Sequence, residues 1–225
     1  MPVPRHVVFC FDVNYMRGFT VAARSLAGNW AGGVEEPLTI HCIWHSCSQD
    51  SIITRTVGAF AADVGPHVEV QTHATPNEGS GPGSAWATPA APAHLRVARY
   101  ISEATQLRLY IPEILAAAYG VPLLRGARAG AAPEGTAAPS PVLYLDCDVL
   151  VAGDVSWIFR QHEDVPLIAA CDNGVNLMEA RWWNGGHPYR GSTSFNAGVM
   201  LMNTAALLGS PEYARLRTQL VAEGQ

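Results

Sequence analysis

The chain has 225 residues, 48% of them apolar and 15% charged, with a formal net charge of −5. That length and balance describe one globular unit able to bury a core, and an acidic chain with scattered arginines lacks the basic stripe that nucleic acid requires. No lysine occurs, so all 14 basic residues are arginines and chemistry needing a phosphate-loop, Schiff-base or general-base lysine is excluded.

His6 to Phe11 is an apolar run that stops at Asp12, and Asn14 to Leu26 has amphipathic spacing ending near Gly28. This predicts a strand, a polar turn and a helix. Leu38 to Trp44 reads as a second strand, Ser51 to Val64 as a second helix, and Val68 to Val70 as a short third strand. Alternation of strand and helix makes parallel pairing the default. Leu95 to Ala118 carries helical patterning interrupted by Pro112. Val142 to Leu145, Leu167 to Cys171 and Val199 to Met202 are later strands, and Pro211 to Glu223 is a closing helix. The whole of 1–225 reads as a single α/β domain. Residues 74–93 and 121–141, rich in Pro, Gly, Ala and Ser, are expected to be flexible loop insertions. No Gly-x-Gly-x-x-Gly follows a strand, which excludes a dinucleotide fingerprint.

The five cysteines, Cys10, Cys42, Cys47, Cys147 and Cys171, have no close paired spacing, and four lie in apolar runs, as buried small hydrophobes do. An odd count without a signal peptide points to the cytoplasm. No apolar run approaches the roughly 18 residues of a membrane span, so any membrane contact is expected to be peripheral. His41 and His45 share a side of the second strand and stand near Cys47, but the lack of a fourth ligand favours structural histidines.

Chemistry concentrates at strand ends. Asp146 and Asp148 follow an apolar strand at positions i and i+2, and residues two apart on a strand emerge on one side. If the strand reaches them, both carboxylates enter one volume at the carboxyl edge of the sheet, where open α/β sheets place ligands. Two hard oxygen donors suit Mn²⁺ or Mg²⁺, and a cation so held clamps a diphosphate. A strand ending in two solvated aspartates remains the alternative on these residues alone. Asp12, Asn14 and Tyr15 offer a carboxylate, an amide and an aromatic face for a nucleoside, against the alternative that Asp12 or Asn14 caps the helix. Asn196, Ala197 and Gly198 place an amide and two small residues directly before an apolar strand, where a backbone can approach a ligand. The loop from Arg181 to Arg190 is aromatic and polar, suited to stacking an acceptor sugar or to packing.

In this order the segments Phe9 to Tyr15, Ile101 to Glu113, Leu143 to Val151 and Phe195 to Leu201 make the chain resemble glycosyltransferase family 8, the retaining nucleotide-sugar transferases. The resemblance runs from about residue 6 to residue 207. It implies a GT-A-type Rossmann-like fold, with a mostly parallel central sheet flanked by helices. It also implies Mn²⁺-dependent transfer of a hexose from a UDP-sugar, UDP-glucose or UDP-galactose, to a carbohydrate, lipopolysaccharide or protein acceptor. By the same resemblance Asp12, Asn14 and Tyr15 meet the nucleoside, and Arg108 reaches the donor diphosphate or sugar. Asp146 and Asp148 hold the metal, with Asp146 also near the ribose. Asp172 faces the sugars, and Asn196, Ala197 and Gly198 touch the transferred sugar. Asp172, Asn196 and Arg108 are therefore the expected catalytic set. The family continues into a His-x-x-Gly-x-x-Lys-Pro-Trp motif that this lysine-free sequence does not contain. The chain is thus expected to be C-terminally incomplete, a donor-binding half with a weakened metal site. The alternatives are a non-catalytic nucleotide-sugar-binding domain and a dehalogenase-like phosphatase, which also uses Asp-x-Asp but ordinarily follows it with Gly or Thr and a later lysine.

Overall fold

In a computed structural model the described residues are 2–46, 48–75, 104, 107–121, 138–160, 165–171 and 195–215. Alternate residues of the first strand, β1 (Arg5–Cys10), are buried on opposite sides of a sheet. Val7 and Phe9 meet helices α1 (Met16–Asn29) and α2 (Asp50–Asp63) through Phe19, Leu26, Val57 and Phe60. Val8 and Cys10 meet helix α3 (Ile111–Ala118) through Ile111, Ile114 and Leu115. A strand covered on both faces reads as a continuous apolar run, as β1 does. Pro112 sits in the first turn of α3, where its missing N–H costs nothing.

The other strands are β2 (Leu38–His45), β3 (Val68–Thr75), β4 (Val142–Leu145), β5 (Leu167–Cys171) and β6 (Phe195–Met202), in the order β3-β2-β1-β4-β6-β5. β1 pairs in parallel with β2 and β4, and β2 with β3, while β6 runs antiparallel between β4 and β5. The expected α/β class and mostly parallel central sheet are both present. The chain builds outward from β1 to β3 and then returns to lay β4 on β1's other side. This makes the β1/β4 edge the topological switch point, where α/β sheets open a crevice.

Three boundaries differ from the sequence reading. β3 extends to Thr75, because Trp44↔Ala74 and His45↔Thr75 continue the ladder and the Ser46 N–H donates to the Thr75 carbonyl at 2.8 Å. Ala74 and Thr75 therefore belong to the sheet and not to a loop insertion; residues 76–93 and 122–137 lie outside the described residues. β6 begins at Phe195, four residues before the expected Val199, since Phe195 and Asn196 pair with Cys171 and Ala170. Helix α4 (Thr204–Gly209), capped by Asn203 Oδ1 on the Ala206 N–H at 2.9 Å, had no counterpart among the expected elements. The closing helix is described only over 211–215. Among the described residues, no helix is long and apolar enough to cross a membrane.

The histidines prove structural. His6 Nδ1 lies 3.0 Å from His41 Nε2, and His41 Nδ1 lies 3.0 Å from His73 Nε2, so one hydrogen-bonded file of imidazoles crosses β1, β2 and β3. His45 Nδ1 meets Thr75 Oγ1 at 3.0 Å; Cys47 lies outside the described residues. Burial lowers His6 from its ordinary 6.5 to about 4, with Glu69 opposing, and lowers His73. Burial and then its two neighbours push His41 down further. Tyr119 covers the file edge-on. Unfolded rings take up protons below about pH 6.5 while the folded His6 stays neutral to about pH 4, so between these values the unfolded chain binds more protons. Stability is then fully present above pH 6.5 and is lost on acidification. Urea titrations should show a chain weaker at pH 5 than at pH 7, with His6 alone contributing roughly 2 kcal/mol of the difference. Equal stabilities at the two pH values would contradict neutral burial.

Candidate active site

β4 stops at Leu145, so Asp146, Cys147 and Asp148 occupy a turn beyond the strand rather than the strand itself. The same-side rule for strands therefore does not set their relation. The turn is fixed by its neighbours instead. The Asp146 N–H donates to the Gly198 carbonyl at 2.8 Å, the Val149 N–H donates to the Asp146 carbonyl at 3.1 Å, and Cys147 Sγ lies 3.7 Å from the Cys10 carbonyl. Helix α1 supports it from below: the Ser25 hydroxyl accepts from the Val151 N–H at 2.9 Å, and Asn29 Nδ2 donates to the Val151 carbonyl at 3.0 Å. A Cβ at Gly18 would stand 2.7 Å from the Cys147 carbonyl oxygen, so the close approach of α1 to the turn requires glycine there.

Three carboxylates stand at these strand ends, Asp146 and Asp148 in the turn after β4 and Asp12 just beyond β1. The buried Cys147 thiol is pushed up first by burial and then by the charges of Asp146, Asp148 and Asp12. Asp148 is exposed, and the Asp146 side chain is one third exposed. Asp12 is half-buried at the end of β1. Its Oδ1 accepts from the Asn14 N–H at 2.8 Å, capping the short helical turn Val13–Tyr15 that leads into α1. The capping alternative for Asp12 is therefore realised, and it leaves the carboxylate at the sheet edge. Asn14 is exposed, while Tyr15 is half-buried against the α1 side of the core.

From the opposite layer, Arg108 enters from the helical turn Leu107–Tyr110 that precedes α3. Its Nη1 stands 3.6 Å from Asp146 Oδ1 and 3.4 Å from the Ala197 carbonyl. Asn196, Ala197 and Gly198 lie inside β6 rather than directly before it. The β5–β6 register breaks there: Ala170 and Ala169 are adjacent, yet their partners Asn196 and Met200 are four residues apart. Such irregularities re-aim strands beside functional sites. Asn196 Oδ1 accepts from the Gly198 N–H at 2.7 Å, and a Cβ at Gly198 would stand 2.8 Å from Asp146 Oδ2. Gly198→Ala should thus displace the Asp146 carboxylate. A nucleotide titration should show roughly tenfold weaker binding, with a lowered melting temperature because the carboxylate also holds the Tyr144 hydroxyl; native affinity would contradict the crowding.

The fold accordingly gathers Asp12, Asn14, Tyr15, Arg108, Asp146, Asp148, Asn196, Ala197 and Gly198 at the β1/β4/β6 edge. Asp172 and the loop 181–190 lie outside the described residues. Sequence reasoning missed Tyr144. Its ring is fully buried on the α3 side, and its hydroxyl donates to Asp146 Oδ1. The signal was available, since Tyr144 stands two residues before Asp146 on the strand that leads to it.

Among the described residues no three His, Cys, Asp or Glu side chains form a ready-made metal cage. Two carboxylates at a crevice nevertheless fit a cation that completes its shell from water and substrate phosphates, which is how Mg²⁺ sits at nucleotide sites. The donor set is hard oxygen, which suits Mn²⁺ as well.

Residues 137–208 match the family model of glycosyl transferase family 8. The resemblance drawn from the sequence is borne out. The matched stretch contains Asp146, Asp148 and Asn196 to Gly198, while Asp12, Asn14, Tyr15 and Arg108 precede it and reach it through the fold. The chain is similar in structure to mouse xyloside xylosyltransferase 1, with a TM-score of 0.58 at 18% identity over 99% of this chain and 76% of that one. It is similar also to the galactosyltransferase LgtC in complex with donor and acceptor sugar analogues, with a TM-score of 0.57 at 22% identity over 97% of this chain and 69% of that one. The bifunctional glycosyltransferase WbbM gives 0.57 at 17% identity, over 99% of this chain but 35% of its own. At these identities the likeness shows a shared GT-A-like fold. No curated protein matches the sequence significantly. Family match and fold together support a glycosyltransferase.

Proposed function

We propose that the chain binds a UDP-hexose, UDP-glucose or UDP-galactose, across the β1/β4 edge and transfers the hexose, with retention, to a carbohydrate, lipopolysaccharide or protein acceptor. The observation that carries this reading is convergence. Three carboxylates, one arginine and the amide of Asn196 come from four separate segments to the switch point of the sheet, inside and beside a stretch matched to family 8. In this reading Asp12, Asn14 and Tyr15 take the uridine, with the Tyr15 ring as its stacking face. Asp146 and Asp148 hold Mn²⁺ or Mg²⁺, which when bound supplies positive charge to the diphosphate. Arg108 adds a permanent cation where the leaving UDP gathers negative charge. Asn196 to Gly198 and Asp172 take the hexose, and Asn196 can both donate to and accept from its hydroxyls. We place the chain in the cytoplasm, which suits the free buried thiols of Cys10, Cys42 and Cys147. We take residues 1–225 as one GT-A-like domain that binds the donor.

The test is release of UDP from UDP-glucose and UDP-galactose by the purified chain, with Mn²⁺ and with EDTA. Mn²⁺-dependent release supports the transferase. Mn²⁺-dependent UDP binding without release supports the non-catalytic binding domain instead, and neither binding nor release overturns both.

A further inference from the structure

The Tyr144 ring is fully buried among Val8, Leu115, Met200 and Met202, and its hydroxyl is the one polar atom of that side chain. A buried hydroxyl without a partner costs about 1–3 kcal/mol, so the acceptor it finds is held firmly. That acceptor is Oδ1 of Asp146. A phenol carries its proton throughout the working pH range and a carboxylate oxygen can only accept, so the hydroxyl is the donor of this pair. Arg108 Nη1 lies 3.6 Å from the same Oδ1. Oδ2 is turned the other way, toward the Gly198 position, where only the missing Cβ leaves it room. One oxygen of Asp146 is therefore committed to Tyr144 and Arg108, and the other lies beside Gly198 at the β4/β6 edge. An aspartate free to rotate at a turn would present both oxygens by turns and pay rotamer entropy on binding; this one is already fixed.

We propose that Tyr144 is a positioning residue for the cation site, pinning Oδ1 of Asp146 so that Oδ2 is the oxygen offered to a divalent ion. The inference rests on the divalent-ion reading given above. Supporting partners of ligating groups typically carry a 10- to 100-fold share of metal affinity, and Tyr144 is built as such a partner. Phenylalanine at 144 would keep the ring and its packing while removing the donor.

The experiment is titration of UDP into the native chain and into Tyr144→Phe, each with Mn²⁺ and with EDTA, reading the ratio of the two affinities. The native chain should show an Mn²⁺-dependent gain. In Tyr144→Phe that gain should fall about tenfold, with EDTA affinity unchanged, and Tyr144→Phe added to Asp146→Asn should cause no further fall. A merely structural hydroxyl would lower the melting temperature or both affinities together and leave the ratio intact. That result overturns the inference while the donor-site reading stands. If the native chain shows no Mn²⁺-dependent gain, the reading fails and the inference with it. Should the phenylalanine variant not fold, Tyr144→Met, an apolar replacement matched to neighbours Met200 and Met202, carries the same ratio test.

Discussion

Asp146→Ala is expected to abolish Mn²⁺-dependent UDP binding and to cut UDP release from a UDP-hexose by roughly 100-fold or more, the scale of losing a metal ligand together with its fixed geometry. The substitution also removes the acceptor of the buried Tyr144 hydroxyl, which costs about 1–3 kcal/mol of stability. Asp148→Ala separates the two effects. Its side chain is exposed, so the variant should lose the same function at an unchanged melting temperature. Initial rates and thermal melts on the two variants, measured side by side, check this. Native activity in either would remove that carboxylate from the site.

The largest expected stability effect lies beneath the site. Phe19 stacks on Phe11 at 4.4 Å between ring centroids and meets Phe9 and Phe60 edge-to-face at 5.6 Å each. All four rings are fully buried, and Phe11 directly precedes Asp12. Phe19→Ala should cost about 4 kcal/mol, from lost transfer energy plus the cavity left among three rigid rings. Against a total stability of about 5–15 kcal/mol, that leaves a chain close to unfolding at ordinary temperature. Urea denaturation at pH 7 measures it. A loss below about 1 kcal/mol would mean that the α1 layer does not rest on these rings.

Elements with strong local signals were legible in the sequence. β4 and β5 match the expected runs residue for residue, because each is a short apolar stretch bounded by proline before it and polar residues after it. β3 was legible only over its first three residues. Beyond Val70 it is Gln71, Thr72 and His73, whose place in the sheet comes from β2 and from the histidine file, partners about 30 residues away. The site was legible as a set of residues but not as a geometry. The i, i+2 spacing singles out Asp146 and Asp148 as a candidate pair, yet both stand in a turn tied to Gly198 and Cys10, which strand periodicity does not describe. Likewise the irregular register that sets Asn196 to Gly198 beside Asp146 arises from three strands meeting, and no local propensity encodes it.

The most direct measurement is a crystal of the chain grown with Mn²⁺ and UDP, with anomalous scattering used to locate the metal. The expected result is a manganese peak within coordination distance of carboxylate oxygens from Asp146 and Asp148, with the UDP diphosphate against it and the uridine toward Asp12 and Tyr15. A manganese ion or nucleotide bound away from the β1/β4 edge, with both aspartates facing only water, would contradict it.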